Sequence, residues 1–148
     1  MSERDGEGTE KKELFGCADV VKWFGRKLVL DGARFLVPYG GVAGIFGLNG
    51  SGKTTLLRIL AGLDRDFEGE LSKTDVNLRS KIVETLIMQC GGERLFIVTT
   101  HEIKEVETLI DGFFILKDGR LSPYYSSEKV RETTGNSVAE FYRRKVNE

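Results

Sequence analysis

The chain has 148 residues and a formal net charge of −1, so it is long enough for one domain with its own apolar core. The near-neutral charge gives no indication of a nucleic-acid or membrane-binding surface, and no apolar run reaches the roughly 18 residues of a membrane span. The two cysteines, Cys17 and Cys90, match neither a disulfide framework nor a metal-binding spacing, which favours a cytoplasmic location with free thiols.

The first part of the chain predicts a disordered tail followed by an antiparallel β unit. Residues 1–13 are polar throughout, and we assign a single domain to residues 14–148. Three short extended runs follow the tail, VVKWF, KLVL and ARFLV, and they are separated by Gly25 and by the Asp31-Gly32 pair. Such runs between turn residues are typical of antiparallel strands.

A strand, a glycine-rich loop and two helices are predicted next. The compact apolar run VAGIF is typical of a buried parallel strand. After the loop, TTLLRILAGL has leucines at helical spacing and Gly62 near its end. Residues 78–88 predict a second helix, because the apolar side chains at 78, 82, 83, 86 and 87 fall on one helical face.

The last third of the chain predicts further strands and helices in alternation. The sequence Cys90-Gly91-Gly92 predicts a turn into a buried strand over residues 95–98. A short charged helix over 103–110, a hairpin at Asp118-Gly119 and a terminal helix over 138–146 follow. Alternating strands and helices predict an α/β fold with a mainly parallel sheet flanked by helices.

The segment GLNGSGKTT, residues 47–55, predicts a phosphate loop. Gly47, Gly52, Lys53 and Thr54 satisfy the pattern G-x-x-x-x-G-K-[ST]. In such a loop the backbone N–H groups converge on phosphate oxygens, the lysine contacts the β- and γ-phosphates, and the hydroxyl of Thr54 is a Mg²⁺ ligand. A chance match is the alternative, but the strand before the loop and the helix after it are the context that phosphate binding requires.

The stretch LDGARFLVPYGGVAGIFGLNGSGKTTLLRILAGL is similar to the ATP-binding domains of ABC transporters over its whole length. The resemblance implies ATP and Mg²⁺ as cofactors and a P-loop NTPase-type fold. It also implies that Phe24 stacks on adenine; the alternative for Phe24 is a strand residue packed into the β unit. The phosphate-loop residues that it implies for nucleotide binding are Asn49, Gly50, Ser51, Gly52, Lys53, Thr54 and Thr55.

Two later segments carry the same resemblance. TDVNLRSKIVETL resembles the D-loop of the family and its following helix, with Asp75 at the matching position. LFIVTTHEIKEVETLIDGFFILKDGRL resembles the switch-histidine segment, and the resemblance implies a catalytic His101 that contacts the γ-phosphate and organises the attacking water. An exposed histidine at the start of a helix is the alternative.

The chain departs from the family between Gly69 and Asp75. The glutamine loop, the helical subdomain and the Leu-Ser-Gly-Gly-Gln signature have no match, and CGGER at 90–94 is expected to be a turn rather than a signature. A Walker B strand ending in Asp-Glu is also missing, which indicates a shortened fold with an internal deletion. We expect nucleotide binding with weak or no hydrolysis. The strands before Gly47 and before His101 are expected to pair directly or to leave an exposed edge.

The resemblance implies a nucleotide and an integral-membrane transporter subunit as partners, with peripheral membrane attachment through that subunit and pairing into a homo- or heterodimer. A first alternative is a non-enzymatic nucleotide-binding regulator or decoy that pairs with a full-length subunit through its D-loop face. A second is a small P-loop kinase, which would need an arginine-bearing lid that the sequence does not show.

Overall fold

The structure is a computed structural model that describes residues 13–72, 85–90 and 92–148. The predicted tail, except for Glu13, lies outside these residues, and so does Asp75 with the predicted helix as far as residue 84. The strands are β1 Leu14–Phe24, β2 Lys27–Pro38, β3 Val42–Phe46, β4 Glu68–Leu71, β5 Thr85–Cys90, β6 Glu93–Thr99, β7 Gly112–Lys117, β8 Arg120–Leu121 and β9 Tyr125–Ser126. The helices are α1 Lys53–Leu60, α2 Ile103–Val106, α3 Ser127–Thr134 and α4 Val138–Val146.

The predicted antiparallel unit is a three-stranded sheet with the order β2-β1-β4. The runs KLVL and ARFLV belong to the single strand β2, so the prediction of a turn at Asp31-Gly32 is wrong. Gly32 has a φ of 83° and sits in a bulge, because Val20 pairs with Ala33 while the next residue of β1 pairs with Asp31. A glycine in this conformation lets one extra residue fit into the strand without ending it.

The second sheet has six strands, with the order β5-β6-β3-β7-β8 and β9 paired to β7. Its centre is parallel, since β3 pairs in parallel with both β6 and β7. The antiparallel strands β5, β8 and β9 make it a mixed sheet, so the parallel pairs that we predicted are confined to the middle. The strand before Gly47 and the strand before His101 pair directly, with Val42 opposite Phe96 and Ile45 opposite Thr99.

The predicted helix over 78–88 is wrong for residues 85–88, which belong to β5. This strand pairs antiparallel with β6 from Thr85 opposite Val98 to Cys90 opposite Glu93. Leu86 and Met88 are buried while Ile87 between them is less so, which is the alternation of a strand with one face on the core. The helix prediction placed Leu86 and Ile87 on the same face. In a strand, neighbouring side chains point to opposite faces.

The remaining predicted elements are confirmed with small changes in extent. The helix after the phosphate loop is α1, which ends at Leu60, and the terminal helix is α4 as predicted. The hairpin at Asp118-Gly119 joins β7 to β8. The helix predicted over 103–110 is shorter than expected, because only Ile103–Val106 is helical there. Among the described residues, no helix has the length and the apolar character that a membrane crossing needs.

Two groups of buried side chains support these elements. The larger one lies between the two sheets and α1, and it includes Leu56, Leu57, Ile59 and Leu60 of that helix. The smaller one is rich in aromatic rings and lies between the second sheet and the C-terminal helices; its aromatic members in contact are Phe46, Phe113, Tyr125, Phe141 and Tyr142. Phe46 is the residue before the phosphate loop, so α4 packs under the start of that loop.

Candidate functional site

The phosphate loop leaves the parallel strand β3 and enters α1 at Lys53. Gly50 has a φ of 83° and Gly52 a φ of 104°, a region that only glycine adopts without strain. A Cβ atom on Gly52 would also lie 3.1 Å from Leu30 Cδ2 and 3.3 Å from the Val29 carbonyl oxygen. The glycine at the start of the helix is therefore required by its backbone angle and by its close approach to β2.

Gly47 brings the first turn of the loop against β7. A Cβ atom at this position would lie 2.4 Å from the Leu116 carbonyl oxygen and 2.5 Å from Ser51 Oγ, so no larger residue fits. The Ser51 side chain is 8% exposed, and its Oγ has no hydrogen-bond partner in the part of the chain that the structure describes. A buried hydroxyl without a partner is uncommon, so the Oγ of Ser51 has hydrogen-bonding capacity left for a polar ligand in the loop.

Lys53 folds back over the loop. Its ammonium group donates hydrogen bonds to the carbonyl oxygens of Gly47 and Leu48, the latter at 3.1 Å. Partial burial lowers the pKa of Lys53 below its ordinary value. The two acceptors are neutral carbonyls, and within residues 13–72, 85–90 and 92–148 no carboxylate forms an ion pair with this lysine. An anionic group bound there would supply that partner.

The other predicted loop residues are available to a ligand to different extents. Asn49 and Gly50 are exposed at the tip of the loop, and Thr54 is exposed in the first turn of α1. Thr55 is half-buried. The first N–H groups of a helix have no partner within the helix, and together with the helix dipole they favour an anion at this end of α1.

His101 comes to the same edge of the sheet as the loop. Because Ile45 of β3 lies opposite Thr99 of β6 in a parallel pair, the chain segments that follow these residues leave the sheet side by side. The His101 side chain is 67% exposed, and its Nε2 lies 3.5 Å from Glu102 Oε1. The exposed position agrees with a histidine at the start of a helix and leaves the imidazole open to a ligand.

Phe24 ends β1 and is 54% exposed, so it is not packed into the β unit. Two residues earlier, Lys22 pairs across the hairpin with Leu30, the residue whose Cδ2 lies near Gly52. The hairpin of β1 and β2 therefore lies beside the C-terminal end of the phosphate loop. The structure thus brings the loop and His101 to one sheet edge and holds Phe24 on a neighbouring hairpin.

Sequence reasoning missed the role of Lys22. This side chain is only 4% exposed, and its Nζ lies 3.1 Å from Asp64 Oδ2. The sequence did indicate that Lys22 would be buried, since Val20 and Lys22 lie two residues apart in one strand and Val20 is fully buried. A lysine on the inward face of a strand requires a buried partner, but the sequence does not identify Asp64 as that partner.

Metal ligands are sparse in this region. Over residues 13–72, 85–90 and 92–148, no three histidine, cysteine, aspartate or glutamate side chains are grouped as a metal site would need. A metal ion at the loop would therefore depend on ligands other than a protein carboxylate cluster, such as the Thr54 hydroxyl and the oxygens of a bound phosphate.

Comparisons with known proteins agree on one family. The family profile described as ABC transporter matches residues 30–136. Aliphatic sulfonates import ATP-binding protein SsuB 1 of Mesorhizobium japonicum is 48% identical over 63 residues, which cover 43% of this chain and 24% of that protein. Protein TRIGALACTOSYLDIACYLGLYCEROL 3, chloroplastic, of Arabidopsis thaliana is 38% identical over 139 residues, 90% of this chain and 39% of that protein.

The tungstate uptake system ATP-binding protein TupC of Peptoclostridium acidaminophilum is 40% identical over 77 residues, 51% of this chain and 36% of that protein. The chain thus spans well under half the length of these curated relatives. A solved structure of an ATP-binding subunit of an ABC transporter superposes with a TM-score of 0.67 at 14% identity, over 92% of this chain and 100% of that one. At this identity the structural likeness shows the fold.

Proposed function

The chain belongs to the ABC transporter family as an ATP-binding domain of the P-loop NTPase type, and on this premise we propose that it binds Mg-ATP through residues 47–55 with little or no hydrolysis. One observation carries the proposal. The phosphate loop is shaped by the positive φ angles of Gly50 and Gly52 and encloses the ammonium group of Lys53, whose partners among the described residues are backbone carbonyls. This arrangement suits a triphosphate, which would provide the negative charge that the loop lacks.

The residues present fit a magnesium ion that arrives with the nucleotide. Mg²⁺ usually keeps several waters and binds through phosphate oxygens with one or two protein ligands. Thr54, exposed at the start of α1, provides a hydroxyl ligand, and the unpaired Oγ of Ser51 adds a polar group inside the loop. When bound, the ion offsets the charge of the phosphate oxygens.

The proposed weakness of hydrolysis follows from what surrounds the loop. Phosphoryl transfer depends on positioning and charge stabilisation, and among the described residues no three histidine, cysteine, aspartate or glutamate side chains are grouped as a metal site would need. In this proposal His101 contacts the terminal phosphate and helps to orient a water molecule, while Phe24 stacks on the adenine ring. The sequence has no Walker B strand ending in Asp-Glu to polarise water, so His101 provides only part of the machinery for turnover.

The names of the relatives suggest a biological setting. Two of the relatives compared above are named as ATP-binding proteins of sulfonate import and tungstate uptake systems. We therefore propose an integral-membrane transporter subunit as the partner of this chain and a membrane-peripheral location through that subunit. Co-purification of the tagged chain with a membrane protein from its native host, and its loss after high-salt washing, tests this part of the proposal.

Thermal melting with and without Mg-ATP tests nucleotide binding directly. A ligand at a hundredfold its Kd stabilises the native state by about 2.7 kcal/mol, which for a chain of this size corresponds to a rise in Tm of roughly 5–10 °C. We expect Lys53→Ala to abolish this rise, because the charge that meets the β- and γ-phosphates is lost.

Lys129→Ala provides the matched control, since Lys129 is an exposed lysine on α3, which is not part of the phosphate loop. This variant should show the same nucleotide-dependent rise as the wild type. A wild-type protein that melts cooperatively but shows neither a rise in Tm nor saturable binding of labelled ATP would contradict the proposal.

Pairing with a second subunit is a further candidate function, and the exposure of the loop favours it. Leu48 at the loop is 58% exposed and His101 beside it is 67% exposed, so the nucleotide site is open on its outer side. A non-hydrolysing regulator would place this open side against a full-length ATP-binding subunit. Light scattering of the mixture with Mg-ATP tests it; separate monomers under all nucleotide conditions would exclude this role.

A further inference from the structure

Lys22 is a buried lysine that the nucleotide site, as proposed above, does not use. Its ammonium nitrogen lies 3.1 Å from Asp64 Oδ2 and 3.6 Å from Asp66 Oδ2. It donates hydrogen bonds to Asp64 Oδ1 at 3.2 Å and to the Asp66 carbonyl oxygen at 2.5 Å. The same nitrogen lies over the ring of Phe24, 5.0 Å from the ring centroid, which is within the roughly 6 Å range of a cation–π contact.

The partners of Lys22 are themselves held in place. The backbone N–H of Asp66 donates to Asp64 Oδ1 at 3.0 Å, and the Asp64 side chain is 17% exposed. Burial alone would raise the pKa of Asp64, but the hydrogen bonds from Asp66 and Lys22 outweigh it and keep the pKa below its ordinary value. Asp64 therefore stays ionised at neutral pH and keeps the lysine charge paired.

These contacts join the strand that carries Phe24 to the helix that carries the phosphate loop. Asp64 lies four residues after the last residue of α1, and its backbone N–H donates to the Arg58 carbonyl oxygen of that helix at 3.3 Å. The other end of α1 begins with Lys53 in the phosphate loop. Because a helix is a rigid element, fixing Lys22 to Asp64 also fixes the position of the Phe24 ring relative to the loop.

We propose that Lys22 is a positioning residue for the nucleobase: with Asp64 it holds the Phe24 ring at a fixed place relative to the phosphate loop, and so gives the site its preference for a nucleotide over a bare triphosphate. The proposal rests on the nucleotide binding proposed above. Lys22 contacts one side of the ring through its ammonium group, and the ring stays half exposed for a base.

The test compares the Kd of ATP with that of inorganic tripolyphosphate, each with Mg²⁺, by calorimetric titration. Loss of a base-stacking aromatic costs about tenfold in affinity, so Phe24→Ala should weaken ATP binding by about that factor. We expect Lys22→Met to weaken ATP binding by at least about threefold, since the ring keeps its area but loses its support. Both variants should bind tripolyphosphate as the wild type does.

Three further variants test whether the effect on ATP binding depends on the position and the charge of Lys22. Lys22→Arg keeps a cation over the ring and should retain most of the preference for ATP. Lys27→Met removes an exposed lysine of the same hairpin and should change neither Kd. Lys22→Met combined with Asp64→Leu removes the whole ion pair, a replacement that proteins often tolerate without loss of stability; it should lose the preference even if Lys22→Met alone folds poorly.

The outcomes separate this proposal from the proposed function. A wild type that binds neither ligand contradicts nucleotide binding and, with it, the role of Lys22. A wild type that prefers ATP, a Phe24→Ala variant that does not, and Lys22 variants that keep the preference would overturn the positioning role alone. Equal loss of ATP and tripolyphosphate in the Lys22 variants would also overturn it, because that pattern indicates a general structural effect.

Discussion

Cys17 shows how a single side chain makes stability depend on pH. Its thiol lies in the core, donates to the Ala33 carbonyl oxygen at 3.6 Å, and burial raises its pKa from 9.0 to about 12. The folded protein keeps the thiol protonated at pH values where the unfolded chain ionises. Its contribution to stability is therefore fully present below pH 9 and is lost as the pH rises from about 9 to 12.

We expect the free energy of unfolding of the wild type to fall by up to about 1.4 kcal/mol per pH unit more steeply than that of Cys17→Ala in this interval. Urea unfolding of both proteins between pH 8 and pH 11 measures the difference. Parallel pH profiles for the two proteins would show that the buried thiol does not titrate as inferred.

At the residue scale, the sequence was informative where function depends on neighbours in the chain. The phosphate-loop residues were predicted from their spacing alone, and the structure places Lys53 at the start of α1 as that spacing requires. The buried ion pair of Lys22 was not predicted from the sequence, because it depends on Asp64. That residue is distant in sequence and comes close only after β1 and α1 have packed.

At the element scale, two glycines at the ends of α1 offer a matched comparison. Gly52 before the helix has a φ of 104° and a crowded Cβ position, whereas Gly62 after it has a φ of 77° and no atom within 4 Å of that position. Either substitution by alanine introduces left-handed strain of roughly 1–2 kcal/mol. We expect only Gly52→Ala to displace the phosphate loop as well, because its Cβ would crowd Leu30 and the Val29 carbonyl.

We therefore expect both variants to lower the Tm in the absence of nucleotide, and only Gly52→Ala to lose the rise in Tm with Mg-ATP. Differential scanning fluorimetry with a titration of Mg-ATP distinguishes the two effects. An intact nucleotide response in Gly52→Ala would mean that the backbone at this position is not what shapes the site.

Elements were predicted well when a local pattern had one interpretation. The hairpin of β7 and β8 and the helix α4 both formed as expected, since Asp118-Gly119 and a regular helical spacing leave little choice. The helix prediction was wrong for residues 85–88 because a short apolar run fits a helix and a strand equally well. The pairing of β5 with β6, from Thr85 opposite Val98 to Cys90 opposite Glu93, decides between the two in favour of the strand.

At the scale of the whole molecule, the α/β class followed from the order of elements, but the sheet order did not. The direct pairing of β3 with β6 keeps the phosphate loop and His101 at one edge. The antiparallel position of β5 beside β6 had no signal in the sequence beyond the turn predicted at Cys90-Gly91-Gly92. Pairing between distant strands depends on tertiary packing, which local patterns do not encode.

The rate of ATP hydrolysis is a property of the whole molecule, because it depends on groups from several elements. We expect a Mg²⁺-dependent ATPase rate near the background, because the sequence has no Walker B strand ending in Asp-Glu to hold Mg²⁺ and polarise water. A coupled assay for phosphate release, with Lys53→Ala as the reference for background, measures it. A rate well above that reference, lost in His101→Ala, would show that the histidine supports hydrolysis without such a carboxylate.

The composition of the β1 hairpin has a practical consequence. Trp23 is the one tryptophan of the sequence, it is 51% exposed, and it stands next to Phe24. All indole emission of the protein therefore originates beside the ring that we assign to the nucleobase. Intrinsic fluorescence can follow occupancy of that hairpin in real time, without a dye or an engineered label, and stopped-flow mixing gives the association rate from the same signal.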